Sequence, residues 1–169
     1  IRDRELGDRS SLSLVLRHVD APQADDPGAL TAAELAVDRR QASTRNVNMR
    51  VGEDLDNTTF GAVLRHGWND EHETELLGHF NHRDFSGRVP SASRGAIELD
   101  RWFAGGGFKH AVTSDVHGRG NRLTFGVDAE YQRDDREQSA VDVATGALGA
   151  LALDELQLVT SVGVFVQDE

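Results

Sequence analysis

Histidine is the residue type in this chain best suited to metal binding, and the chain has seven histidines. His79 and His82 are three positions apart. On a β-strand, side chains at that spacing point to opposite faces, so the two rings cannot share one ion. His72 and His117 fall in predicted turns. The spacing therefore predicts ordinary polar roles, and no metal or cofactor site is predicted.

Three further groups of residues invite a chemical interpretation. The carboxylate pairs Asp25-Asp26 and Asp134-Asp135 lack the spacing of a calcium loop, so a turn and a charged strand end explain them better. Gly105-Gly106-Gly107 lacks the lysine and the following helix of a phosphate loop, and glycine in a strand marks a bend or a close approach. No Gly-x-Ser-x-Gly motif occurs. The chain is therefore predicted not to be an enzyme.

Composition excludes several classes of protein. The 169 residues include 29 acidic and 18 basic side chains, giving a net charge of −11, and no cysteine. This charge has the wrong sign for binding nucleic acid through its backbone. Disulfides and thiolate sites are impossible. No apolar run approaches the roughly 20 residues of a transmembrane helix.

Alternation of apolar and polar residues is the main structural signal. It predicts an all-β antiparallel meander of about six long strands, at 11–18, 58–67, 74–82, 102–112, 122–132 and 158–168. One predicted face is apolar and contains Leu12, Leu14, Leu16, Phe60, Leu64, Leu76, Phe80, Leu123, Phe125, Val127, Tyr131, Val162, Val164 and Val166. The other is polar and contains Arg65, Glu75, His79, Asp128, Glu130, Gln132 and Gln167.

The connections between these segments are unequal in length. Short turns are predicted at 69–71 and 114–120, and long connections at 19–57, 86–95 and 135–155. Within the first long connection, Thr31 and Glu34 form a capping box that predicts a short helix to about Arg40. Alternation of Val47, Met49 and Val51 predicts a hairpin in the same connection.

The apolar phase reverses near Asp100-Arg101, because Ile97 and Leu99 are out of step with the residues that follow. Such a reversal predicts either a β-bulge or a strand leaving its environment. The sequence leaves both alternatives open.

Three features favour a lipid environment over a wet-faced soluble sheet. The strands are about 10 residues long, which suits a tilted membrane-spanning strand better than the usual strand of about 5–6 residues. The polar face carries consecutive charged positions that a water-filled lumen tolerates. All long connections fall on one rim, as in outer-membrane barrels. Five aromatic residues near predicted strand ends, Trp68, Phe85, Trp102, Phe103 and Tyr131, are interpreted as an interfacial girdle.

Four segments carry a resemblance to a known family. They are GVDAEYQRDDR at 126–136, SVGVFVQDE at 161–169, APQADDPGALT at 21–31 and RDF at 83–85. Together they resemble the barrel of TonB-dependent outer-membrane receptors of the iron-complex type. The likeness runs through residues 1–169, and both chain ends are interpreted as internal to a longer protein.

The resemblance implies a barrel of about 22 strands, closed by a plug that engages the TonB complex and lies outside this chain. The implied function is binding and import of a ferric siderophore or another iron complex across the bacterial outer membrane, with lipid around the barrel. Loop arginines Arg39, Arg40, Arg88, Arg94 and Arg136 are predicted to bind an anionic chelate. The alternatives are a loop histidine touching the ferric ligand, a soluble β-sandwich or small-barrel binding domain, and a β-rich secreted hydrolase, for which the sequence offers no convergent catalytic pair.

Overall fold

A computed structural model describes residues 2–169 as one antiparallel sheet with two short helices. The elements are β1 (Arg2–Glu5), β2 (Ser10–Asp25), α1 (Ala32–Val37), α2 (Thr44–Met49), β3 (Gly52–Gly67), β4 (His72–Arg88), β5 (Ala96–Val116), β6 (Arg119–Val141) and β7 (Leu148–Asp168). The strands follow chain order from β1 to β7. The predicted all-β antiparallel meander is confirmed, with seven strands rather than about six.

All seven strands belong to the same sheet, so the chain is not a β-sandwich. A sandwich would need a second sheet packed about 10 Å from the first. The alternative of a soluble sandwich is therefore wrong for the part of the chain that the structure describes.

The strands are much longer than the sequence predicts, with 16 to 23 residues in β2 to β7. Their ends extend into the predicted long connections, which shrink to 26–51, 89–95 and 142–147. The extensions of β3, β4 and β6 carry polar residues on both faces and so lack the alternation that marks a strand. The extension of β7 is instead mainly apolar, with Leu148, Leu151, Leu153 and Leu156. The turn between β5 and β6 is also shorter than the predicted turn at 114–120. It consists of His117 and Gly118, whose φ values of 57° and 77° suit a two-residue hairpin.

Two faces follow from the register of the ladders. We call the side of the sheet that contains Leu64 and Phe125 the apolar face, and the side that contains Glu75 and Asp128 the polar face. Paired residues share a face, so one row of the apolar face crosses six strands. Its members are Leu12, Leu64, Leu76, Phe108, Val127 and Val164.

Strand β5 runs through the point where the apolar phase reverses. Its register with β4 and β6 is continuous from Ala96 to Val112, so the bulge alternative is wrong. Beyond Trp102 the apolar face continues with Asp100, while Leu99 lies on the polar face opposite Phe85. The strand therefore changes its environment without ending.

The buried core lies at the rim of the long connections. Met49, Val51, Ala96 and Val141 form one cluster, and Met49 is fully buried. The predicted hairpin at 47–51 is wrong, because residues 44–49 form α2 instead. Asn46 and Met49, one helical turn apart, are its buried residues, whereas Val47 is exposed.

Helix α1 begins as the sequence predicts. Thr31 Oγ1 accepts from the Glu34 backbone N–H at 3.3 Å, and Glu34 Oε2 accepts from the Thr31 N–H at 2.7 Å. These bonds hold the pKa of Glu34 below its usual value. The helix ends at Val37 rather than near Arg40.

Most of the apolar surface of the sheet is exposed. The chain has an accessible surface of 11423 Å², whereas a compact protein of 18.5 kDa exposes about 8,200 Å². No helix among residues 2–169 is long and apolar enough to cross a membrane. The apolar face therefore has no protein layer over it within the described chain.

Candidate functional site

Every residue predicted to be lipid-facing lies on the apolar face. The set comprises Leu12, Leu14, Leu16, Phe60, Leu64, Leu76, Phe80, Leu123, Phe125, Val127, Tyr131, Val162, Val164 and Val166. Several are largely exposed, up to 82% for Val164. Trp102, Ala104 and Val112 join them from β5. The result is a continuous apolar band across six strands.

The apolar band ends at a row of aspartates that sequence reasoning missed. Asp20, Asp56, Asp84, Asp100 and Asp135 are directly paired across five strands on the apolar face. The next residues toward the band contact two of them. His82 Nε2 lies 3.1 Å from Asp100, and Arg133 Nη2 lies 3.3 Å from Asp135. The band therefore has one sharp edge at the same level on neighbouring strands.

The opposite edge of the band is marked by hydrogen-bonded side chains near the short turns. Trp68 Nε1 donates to Thr74 Oγ1 at 2.9 Å, and that hydroxyl lies 2.9 Å from His110 Nδ1. His110 Nε2 in turn lies 3.2 Å from His72 Nδ1. Of the two histidines predicted to lie in turns, His72 is instead the first residue of β4, whereas His117 does lie in a turn.

The aromatic girdle is only partly where the sequence predicts it. Trp102 lies on the apolar face, with its ring 5.5 Å from Phe80, and Tyr131 is nearby opposite Ala104. Phe103 and Phe85 lie on the polar face instead. Successive residues of a strand point to opposite faces, so a residue's face depends on its place in this alternation and not on how close it is to the strand end.

The polar face contains every residue predicted to face a lumen. The set comprises Arg65, Glu75, His79, Asp128, Glu130, Gln132 and Gln167. His79 stacks on Phe103 at 5.1 Å, whereas His82 stacks on Trp102 at 4.4 Å on the other face. The prediction that His79 and His82 cannot share an ion is therefore confirmed. Gln167 donates to Glu169 at the edge of the sheet.

Ion pairs on the polar face tie neighbouring strands together. Glu75 accepts from Arg65 Nε at 2.6 Å and from Lys109 Nζ at 2.9 Å. This one carboxylate therefore links β3, β4 and β5.

Asp134 forms the most buried ion pair, with only 3% of its side chain exposed. Arg101 binds both of its oxygens, at 2.8 Å through Nε and 2.5 Å through Nη2. Gln132 adds a bond of 3.0 Å to Asp134 Oδ2. Asp134 is thus a structural partner of Arg101 rather than half of a catalytic carboxylate pair, since Asp135 lies on the other face.

Side-chain packing explains two of the three consecutive glycines in β5. A Cβ on Gly105 would meet the ring of His79, and a Cβ on Gly107 would meet the carboxylate of Asp128. These glycines allow the close approach that the sequence predicts and form no phosphate-binding loop.

The five candidate ligand arginines are not equivalent. Arg39, Arg40 and Arg94 lie in the connections and are exposed. Arg88, the last residue of β4, donates to the carbonyl oxygen of Gly146 at 2.5 Å and so joins that strand to the connection at 142–147. Arg136 lies on the polar face, 3.8 Å from Glu155. The structure therefore does not gather the five around one point.

Comparison with known proteins gives a structural match without a sequence match. No protein-family model matches the chain, and no curated protein does. The solved structure of the ferric citrate transporter FecA in its unliganded form superposes with a TM-score of 0.83 at 13% identity. The match covers 98% of this chain and 25% of the transporter. The fold is therefore that of a segment of the FecA β-barrel, about a quarter of that protein's length.

Proposed function

We propose that this chain is a segment of a TonB-dependent receptor barrel in the bacterial outer membrane. The receptor would bind a ferric siderophore or another iron complex and import it, without covalent chemistry. The likeness of the fold to a transporter supports this proposal. Energy for import would come from the TonB complex through a plug domain outside this chain.

The observation that carries the proposal is the exposed apolar band. Leaving a large aliphatic side chain in water forgoes about 1.5–3 kcal/mol of burial energy, and the band repeats this over six strands. At a tilt of about 45°, roughly eleven residues of strand rise about 25 Å, the height of the apolar band in outer-membrane barrels. Acyl chains are the partner that fits such a surface.

The two rims support one orientation. Residues 26–51, 89–95 and 142–147 share one rim, and the turns at 6–9, 68–71 and 117–118 share the other. Outer-membrane barrels have their longer connections outside the cell. We therefore assign the rim with α1 and α2 to the cell exterior.

The connections at that rim are the proposed contact with an anionic iron chelate. Arg39, Arg40 and Arg94 are exposed there, and a guanidinium binds a carboxylate through two parallel hydrogen bonds. Arg88 and Arg136 already have partners within the sheet or its connections. The first three are therefore the better candidates.

Replacing Arg39, Arg40 and Arg94 together by Gln in the complete receptor should weaken binding of ferric citrate about tenfold or more, since charged hydrogen bonds contribute about 1.5–3 kcal/mol each. Equilibrium binding and uptake of radiolabelled iron would measure this loss. Arg119→Gln, in the hairpin at the other rim, is the control for losing one exposed cation away from the proposed site and should leave both unchanged. Unaltered affinity in the triple variant would remove these arginines from the ligand site.

A further inference from the structure

A patch on the polar face of β2 to β4 differs in charge from the rest of that face. It consists of Arg17, Asn57, Thr59, Asn81 and Arg83, and we call it the Arg17–Arg83 patch. Arg17 pairs with Thr59 and Thr59 with Asn81, while Asn57 pairs with Arg83. The residues that directly flank the patch on the polar face of these strands, Val15, Val19, Leu55, Gly61, His79 and Phe85, include no carboxylate, and Glu53 and Glu75 lie further along. In a chain of net charge −11 this is an exception.

Arg83 is the central cation of the patch. Among the described residues no carboxylate lies within 4.0 Å of it, and its Nε is buried without a hydrogen-bond partner. Its cross-strand neighbours are Asn57 on one side and Arg101 on the other. Leaving a buried donor unsatisfied costs about 1–3 kcal/mol. The positive charge of Arg83 is therefore not balanced by a carboxylate of the described chain.

The other cations of the central polar face each have a carboxylate partner, whereas Arg83 has none among the described residues. Arg65 and Lys109 share Glu75, and Arg101 is held by both oxygens of Asp134. Like charges directly across a ladder destabilise it. Arg101 is neutralised, whereas Arg83 opposite it is not, so the local excess of positive charge lies on Arg83.

Groups already held in place fill the space between the two arginines. Asn81 Nδ2 donates to Asn57 Oδ1 at 3.0 Å and to Thr59 Oγ1 at 2.8 Å, which fixes all three side chains. The Phe85 ring lies 5.2 Å from Arg83 Cζ and supports its guanidinium. Arg17 is exposed on β2, two strands or about 10 Å from β4. Both long side chains can reach a ligand seated over Asn57 and Thr59.

We propose that the Arg17–Arg83 patch binds an anion that carries at least two carboxylate or phosphate groups. Arg83 and Arg17 each pair with one group, and the ligand lies between them on the polar face. This inference deepens the proposed function, because it rests on the polar face being the inner wall of the proposed barrel. It places the main contact with the anionic ligand on the polar face of the sheet rather than in the connections.

The test is isothermal titration of citrate and, separately, inorganic phosphate into the full chain in nonionic detergent. The Arg83→Gln variant should weaken citrate binding about tenfold or more, and Arg17→Gln should weaken it by a smaller factor. Phosphate, which cannot bridge both arginines, should bind more weakly than citrate. Arg122→Gln is the matched control, with the same change in charge on the polar face near the short turns, and should change citrate affinity less than twofold.

Two results would overturn the inference: citrate binding that survives Arg83→Gln, or an equal loss in Arg122→Gln. Phosphate binding as tight as citrate and insensitive to Arg17→Gln would overturn the bridging arrangement. Arg83→Lys, which keeps the charge, should retain part of the affinity and shows that the loss is not unfolding. The result is separable from the proposed function, because lipid contact of the apolar face is measured independently.

Discussion

Replacing Val162 by Arg is expected to destabilise the complete receptor in phospholipid vesicles by about 2–4 kcal/mol, the range for Arg near the midplane of a barrel's lipid face. Val162 lies on the apolar face opposite Ala129, within the band, and is 68% exposed. An ordinary exposed position on a soluble protein changes stability by about 0.5 kcal/mol or less. The large expected effect arises only if lipid surrounds the side chain.

The adjacent residue supplies a matched control. Ser161→Arg introduces the same charge on the same strand, but on the polar face and opposite Glu130. It should change the free energy of unfolding by about 0.5 kcal/mol or less. Urea unfolding of both variants in vesicles, followed by fluorescence, measures the difference. Equal effects of the two substitutions would contradict lipid contact of the apolar face.

Replacing Arg101 by Gln should be the second most damaging change, lowering the free energy of unfolding by about 2–3 kcal/mol. Asp134 is 3% exposed, and removing Arg101 leaves a buried carboxylate with only the hydrogen bond from Gln132. The effect lies at or below the lower end of the roughly 3–5 kcal/mol cost of breaking a buried pair, because about a third of Arg101 reaches solvent. Chemical denaturation of the chain in detergent measures the loss.

The double variant Arg101→Gln with Asp134→Asn separates the charge from the contact. It should recover most of the stability, because both charges disappear together and the amide groups can still hydrogen-bond. Arg122→Gln is the control, since its pair with Glu73 spans 3.8 Å and both side chains are more than 40% exposed. A double variant as unstable as the single one would show that the loss comes from packing.

The sequence was sufficient to assign the two faces of the sheet. Period-two alternation placed residues such as Phe125 and Val127 on one face and Asp128 and Glu130 on the other, because successive strand residues point to opposite sides. The register then follows, since a one-residue slip would move an entire apolar set to the wrong face.

Strand length and the first strand could not be read from the same pattern. β1 is Arg-Asp-Arg-Glu and has no apolar residue to alternate. Beyond the band, β5 and β6 continue with charged residues on the apolar face, such as Asp100 and Glu137. Alternation marks where a strand meets an apolar environment, so its end indicates the edge of the band rather than the end of the strand.

The remaining differences between prediction and structure depend on contacts between residues that are distant in sequence. Asp20, Asp56 and Asp84 each lie four residues from an apolar-face residue of their own strand, but only the pairing of the strands shows that they form a row. The cluster around Met49 needs the first long connection to meet the ends of β5 and β6, and no local pattern shows that. The partners of Arg88 and Arg136 are likewise distant in sequence or set by register, so these contacts could not be foreseen.

Quenching of tryptophan fluorescence by brominated lipids tests the central claim most directly. In a Trp68→Phe, Trp102→Phe background, a single tryptophan is placed by Phe125→Trp on the apolar face or by Glu130→Trp on the polar face. The account predicts strong quenching of the first and weak quenching of the second, which remains accessible to aqueous iodide. Equal quenching at both positions, or none at position 125, would contradict the membrane-facing assignment of the sheet.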